Sequence, residues 1–227
     1  MLEAVIEDGG QNNVSAIARL IDMPIATAHR QVVTLVAEGY LTASTHGRHV
    51  AGPRLLGLVH RLDEKQVIAN VAAPVLHRLA GRVRSVVQLG TLENEMVTYR
   101  IKTGHGMQLE AYCSGIGKML LAHLPDAQRE SYLAGGPFVP LTPNTIVDPI
   151  RLAAELDQIR EQGFAQDKGE IVEGLVCMAV PVCNRDGGVL AAISVSQVEC
   201  AADRIEPDEL LGLLSDAANE IQNAVFN

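Results

Sequence analysis

Short apolar stripes at helical spacing, cut by turn residues, fill the first fifty positions. Leu2, Val5 and Ile6 recur three and four apart and stop at Asp8-Gly9-Gly10, which predicts a short helix over 1–7. Ile17, Ala18 and Ile21 form the inward stripe of a second helix over 14–21, and Asp22-Met23-Pro24 follows as a tight turn. A third helix over 25–38 turns Ile25, Ala28, Val32, Leu35 and Val36 inward. Thr27, Arg30, Gln31 and Thr34 lie outward, with Ala26 and His29 near the leading end, and Gly39 ends the helix. Two short strands over 40–44 and 48–52 flank Thr45-His46-Gly47. Three helices and a small hairpin predict a winged helix-turn-helix, whose short turn holds the third helix proud of the domain for the major groove of double-stranded DNA. Arg30 and Thr27 are the groove-facing candidates, with His29 beside them, and Arg48 sits on the wing near phosphates with His46 and His49. Two histidines without further ligands nearby read as loop residues, so no metal and no cofactor is expected.

The pattern then changes. Leu55, Leu56, Val59 and Leu62 mark an amphipathic helix over 53–65, a linker whose stripe suits pairing with a second copy. A helix over 68–83 turns Leu76 and Leu79 inward, and strands over 86–92 and 96–101 are joined by Glu93-Asn94-Glu95. Residues 107–112 read as extended, with Met107 a candidate for apolar pocket lining. Ser114-Gly115-Ile116-Gly117-Lys118 opens a helix to about His123, and a glycine-rich helix start offers N–H groups to an anion. Further helices are predicted over 126–133, from the Asp148-Pro149 cap to Gly163, and over 207–225.

The most informative stretch is a hairpin. Apolar runs over 175–182 and 189–196 flank Cys183-Asn184-Arg185-Asp186-Gly187-Gly188, which is turn chemistry. A plain antiparallel register sets Cys177 opposite Ser194 and Leu175 opposite Ser196, all on one face. The other face carries Val176, Met178, Val180, Ala191, Ile193 and Val195 and should pack on helices. Two serines beside a cysteine suit the floor of a small-molecule pocket, while a half-buried sheet with satisfied hydroxyls is the plainer alternative.

Composition narrows the class. With 48% hydrophobic and 20% charged residues, the 227-residue chain reads as globular, of α+β class. No apolar run reaches membrane-spanning length and no signal-peptide pattern opens the chain, so no membrane partner is expected. Cys113, Cys177, Cys183 and Cys200 form no CxxC pair, which suits a reduced, cytoplasmic protein. The formal charge is −9, and up to Gly52 the acids Glu3, Glu7, Asp8, Asp22 and Glu38 outnumber Arg19, Arg30 and Arg48. Only local charge decides a docking face.

The winged helix with its AT-x-HR start, VAEGYL, GPRLLGL, SGIGKMLLAHLP, the stretch from TPNTIVDP to GLVCMAVPV, and DGGVLAAISVS together resemble the IclR family of bacterial transcription regulators over essentially the whole chain. The resemblance implies a winged helix-turn-helix domain over 1–52, a linker helix over 53–66, and a GAF-like effector-binding and oligomerisation domain over 67–227 with a central antiparallel sheet. It implies an effector site at Gly115, Ile116, Asp167, Leu175, Cys177, Ser194 and Ser196. The first helix is short for the family, as if the chain began partway along it, and Glu110 stands before Ala111 where relatives often have histidine. The function implied is a repressor of a catabolic operon, controlled by a small aliphatic or aromatic carboxylate and acting as a homodimer or a dimer of dimers. The residues expected at the site include no arginine or lysine, which suggests a monoanion. An enzyme using Cys177 as nucleophile is the alternative, but no motif links a histidine base to it.

Overall fold

The computed structural model describes residues 1–102 and 108–226. The chain divides between Asp63 and Glu64 into two compact units, each with its own apolar core.

The first unit holds α1 (Leu2–Asp8), α2 (Val14–Leu20), α3 (Ile25–Ala37), the hairpin of β1 (Leu41–Ala43) and β2 (His49–Ala51), and α4 (Pro53–Val59). Helix ends follow from local chemistry. Gly9 closes α1 in the left-handed region at φ 62. The Asn13 side chain caps α2 by accepting from Ala16 N at 3.0 Å. Val5, Val14, Ile17, Ala28, Val32 and Leu41 meet in the core. Gly52 allows the chain to pass against the end of α3, since a Cβ there would stand 2.3 Å from Gly39 O.

Two of the expected inward residues face solvent instead: Ile21 is 38% exposed and Ile25 40%. They flank the turn between α2 and α3, where the apolar period continues beyond the end of the core. The linker also differs from its expected form. α4 stops at Val59 and the next helix, α5 (Glu64–Val83), starts after a break, so Leu62 lies outside both. Asp63 and Glu64 supply the physical reason, because consecutive acids favour a helix N-terminus over a helix interior.

The second unit is built on a six-stranded antiparallel sheet. Its strands are β3 (Val86–Glu93), β4 (Met96–Lys102), β5 (Gln108–Glu110), β6 (Ala165–Lys168), β7 (Leu175–Cys183) and β8 (Val189–Val198), in spatial order β5-β4-β3-β8-β7-β6. The helices are α5, α6 (Gly115–Ala122), α7 (Asp126–Ala134), α8 (Pro149–Gln162) and α9 (Pro207–Phe226). α5 and α9 cover one face, where Leu76, Leu79, Leu214 and Ile221 pack on Met178, Val180, Ile193 and Val195. This is the hairpin face that alternation marks as wholly apolar. α6 and α8 cover the opposite face, with Met119, Leu121, Leu152 and Ile159 against Ala179 and Ala192.

The hairpin register departs from the plain one by two residues. Cys177 pairs with Ser196, Ala179 with Ser194, and Leu175 with Val198. Two causes contribute one residue each. The loop is centred on Asp186, where the Asn184 side chain accepts from Asp186 N at 3.0 Å and Gly188 N at 2.7 Å. A bulge between Val182 and Cys183 then leaves Leu190 unpaired. A shift of two preserves sidedness, so Leu175, Cys177, Ser194 and Ser196 still share a face.

Candidate functional site

Among the DNA-contact candidates, Ala26, His29, Arg30, Gln31 and Thr34 are exposed on α3 and Thr27 is half-buried beside them. α3 starts after Asp22, which takes the left-handed φ of 50 that the tight turn needs. Thr34 donates to Arg30 O at 3.1 Å, and His29 Nε2 lies 3.3 Å from the Ser15 hydroxyl. The Arg30 guanidinium has no hydrogen bond or ion pair among the described residues. Arg48 is exposed at the base of the wing, where it bridges to Asn13. By contrast Arg54 is occupied: it pairs with Glu38 at 2.7 Å and stacks over Tyr40.

In the second unit the strands carry two lateral rows on the α6 face. Asp167, Cys177, Ser196 and Val86 form one row across β6, β7, β8 and β3. Ala165, Ala179, Ser194 and Gln88 form the next. Cys177 Sγ donates to Ser196 Oγ at 3.0 Å, which leaves the Ser196 proton for another acceptor. Asp167 is 1% exposed; its Oδ1 accepts from Glu170 N at 2.6 Å and its Oδ2 is buried without a hydrogen-bond partner among the described residues. Burial pushes the Asp167 carboxyl up, offset in part by the Glu170 N–H and by the charge of Lys118. Burial, reinforced by the charge of Asp167, pushes the Cys177 thiol up to about 12. Cys177 at neutral pH is therefore a thiol that donates a hydrogen bond, not a thiolate nucleophile.

α6 lies directly on this wall. Its residue at the contact is small: a Cβ on Gly115 would meet Ala179 Cβ at 3.5 Å and Cys177 Cβ at 3.8 Å; a Cβ on Gly117 would stand 2.2 Å from Ala111 O, in the chain that leads into the helix. Ser114 caps the helix by accepting from Gly117 N at 3.0 Å. Gly115 thus roofs the rows at Ala179 and Cys177 at van der Waals distance, the buried Ile116 lies over Gly90, and a ligand must lie beside the Gly115 contact, not within it. Glu110 is exposed and offers its carbonyl to the Ser114 hydroxyl at 3.3 Å. Met107 lies outside the described residues.

Three residues at this wall are not among the expected site residues. Lys118 is 0% exposed and its ammonium donates to Glu170 at 2.5 Å and Glu155 at 3.0 Å. Its burial is visible only in three dimensions, although its position after the capped helix start was a hint. Tyr99, on β4, has its phenol pushed up by burial and by the charges of Cys177, Cys113 and Asp167. Gln88 is 8% exposed and pairs in register with Ser194; its alternate position on an apolar strand was the available signal.

The described cavities divide the expected site residues. Asp167 and Cys177 line a cavity of about 170 Å³, and Leu175 and Ser196 line a larger cleft of about 460 Å³.

The comparisons with known proteins match both units. The sequence model of the IclR helix-turn-helix domain matches residues 1–44, and that of the bacterial transcriptional regulator IclR C-terminal domain matches residues 60–223. The chain belongs to the IclR family. Among IclR relatives, the Pca regulon regulatory protein of Pseudomonas putida is 27% identical, over 100% of this chain and 81% of that protein. The transcriptional repressor AllR of Escherichia coli K12 is 29% identical, over 99% of this chain and 87% of that protein. A crystal structure of an IclR homologue from Microbacterium hydrocarbonoxydans, complexed with 4-hydroxybenzoate, superposes with a TM-score of 0.66 at 28% identity, covering 99% of this chain and 97% of that one. The chain is thus an IclR-type transcriptional regulator with a DNA-binding helix-turn-helix. No helix among the described residues is long and apolar enough to cross a membrane.

Proposed function

We propose that this regulator is a repressor of a catabolic operon, released or retained on its operator by a small organic acid bound beside the Asp167–Cys177–Ser196 row. The observation that carries the reading is the row itself. It sets a hydroxyl proton, a buried carboxyl and a thiol side by side under the start of α6, in a chain with no motif-linked base to make them catalytic. The 4-hydroxybenzoate bound by one relative and the repressor name of another support the effector class and the sign of regulation. A regulator that senses a small acid is useful to genes that consume it. DNA is met by Ala26, Thr27, His29, Arg30, Gln31 and Thr34 of α3 and by Arg48 of the wing. Control requires that the effector bind the DNA-competent and DNA-incompetent forms with different affinity.

The test is the double variant Ser194→Ala with Ser196→Ala. It should bind the operator as wild type does and lose the response to effector in a gel-shift titration. An unchanged midpoint in the double variant would move the effector site away from this face.

A further inference from the structure

The seven residues expected at the effector site include no cation, and on that ground the sequence suggests a monoanion. The cleft next to the row changes that. Its volume is about 460 Å³, and beside Leu175 and Ser196 it is lined by Arg84, Gln88, Asp203 and Arg204. Its inner wall is ready to donate. Gln88 is 8% exposed and its side chain has no hydrogen-bond partner among the described residues. Buried polar groups are ordinarily satisfied, so an open carboxamide turned into a cavity marks a place for a ligand acceptor. Ser196, with its oxygen engaged by the Cys177 thiol, has its proton to give.

The rim is cationic. Arg84 is exposed at the entry to β3, held at a left-handed φ of 51. Arg204 follows β8 and makes one long contact, to Glu199 O at 3.5 Å. Asp203 shares the rim and pairs with neither arginine among the described residues, so two guanidiniums face one carboxylate.

We propose that this cleft binds a dicarboxylate. One carboxylate accepts from Gln88 Nε2–H and the Ser196 hydroxyl at the inner wall. The other is met by Arg84 and Arg204 at the rim, where a guanidinium is matched to a planar acid. Gln88 and Arg84 are four residues apart, no more than roughly 13 Å at the strand rise, and the arginine side chain spans part of that. That span admits two acid groups joined by a short carbon chain. The inference rests on the effector reading above and makes it more specific.

The experiment is calorimetric titration of the full chain with glutarate and adipate, each against the monoacid of equal carbon count, pentanoate and hexanoate. At least one diacid should bind about tenfold or more tightly than its monoacid, the scale of one charge-assisted hydrogen bond. The double variant R84Q/R204Q should bring that diacid down to the level of the monoacid, and R84Q and R204Q singly should each lose part of the advantage. Q88L should weaken diacid and monoacid together. Equal binding of diacid and monoacid by wild type, a preference that survives in R84Q/R204Q, or no binding of any of the four acids would overturn the proposal. The S194A/S196A variant separates this failure from failure of the effector reading. If it loses monoacid binding while diacids show no advantage in wild type, only the dicarboxylate assignment falls. If it binds the monoacid unchanged, the effector reading falls as well.

Discussion

Arg30 and Asp167 show how differently single residues act in the two units. Arg30 stands in solvent without a partner among the described residues, so its removal costs the fold little. Arg30→Ala is expected to weaken specific operator binding by about 1–3 kcal/mol if the side chain reads a base. The check is a gel shift at matched salt on a site selected from random DNA; equal affinity of the two proteins removes Arg30 from the interface. Asp167 acts through its charge state. Its folded pKa lies above the ordinary 3.8 because burial penalises the carboxylate. Its contribution to stability is therefore full below that ordinary value and is lost as pH rises through the folded value. Asp167→Asn keeps an oxygen for Glu170 N and has nothing to ionise. Melting temperatures measured from acid pH upward should diverge, with the variant gaining on wild type as pH rises; parallel curves would show that Asp167 is not strained by its charge.

At the scale of the element, α6 is the piece on which the site depends. It lies close to the sheet because Gly115 and Ala179 are small, it passes close to the Ala111 backbone because Gly117 has no side chain, and it is tied down by Lys118 between Glu170 and Glu155. Lys118→Met leaves Glu170, whose side chain is 5% exposed, without its counter-charge. Breaking a buried pair in this way costs roughly 3–5 kcal/mol, to be read from urea denaturation, and Lys118→Met with Glu170→Leu should recover much of it. Elements of this kind were legible in the sequence where a side chain closes its own turn. Ser114, Asp148 and Gly163 mark helix ends that the structure reproduces. The apolar side of the hairpin was legible because alternation over a strand needs no knowledge of its neighbours. What depends on distant neighbours was not. The break before Glu64 competes with an uninterrupted leucine stripe, the Leu190 bulge adds a residue no period reveals, and β6 alternates in burial but sets a carboxylate, Asp167, at an inward position, so no apolar period marks it. At the site, Asp167, Cys177 and Ser196 carry motif signals, whereas Gln88 and Lys118 acquire their meaning only when β3, α6 and the 169–174 loop come together.

At the scale of the whole molecule, one recognition helix covers one half-site, so useful affinity needs two copies. Leu56, Val59 and Leu62 are 65%, 63% and 62% exposed and offer the apolar surface for that pairing. Leu56→Asp with Val59→Asp should yield a monomer in light scattering at micromolar concentration and a large loss of operator affinity; a monomeric wild type with full DNA binding would contradict the dimer. The charge of the first unit has a consequence for how the protein finds its site. Up to Gly52 its arginines are fewer than its acids, and Arg54 is held by Glu38. Attraction to phosphate at long range is what parks a regulator on arbitrary sequence between visits to its target. A docking face with few free cations is expected to hold the protein less on arbitrary sequence, so that occupancy of a promoter should follow the number of free molecules and the fit of the operator.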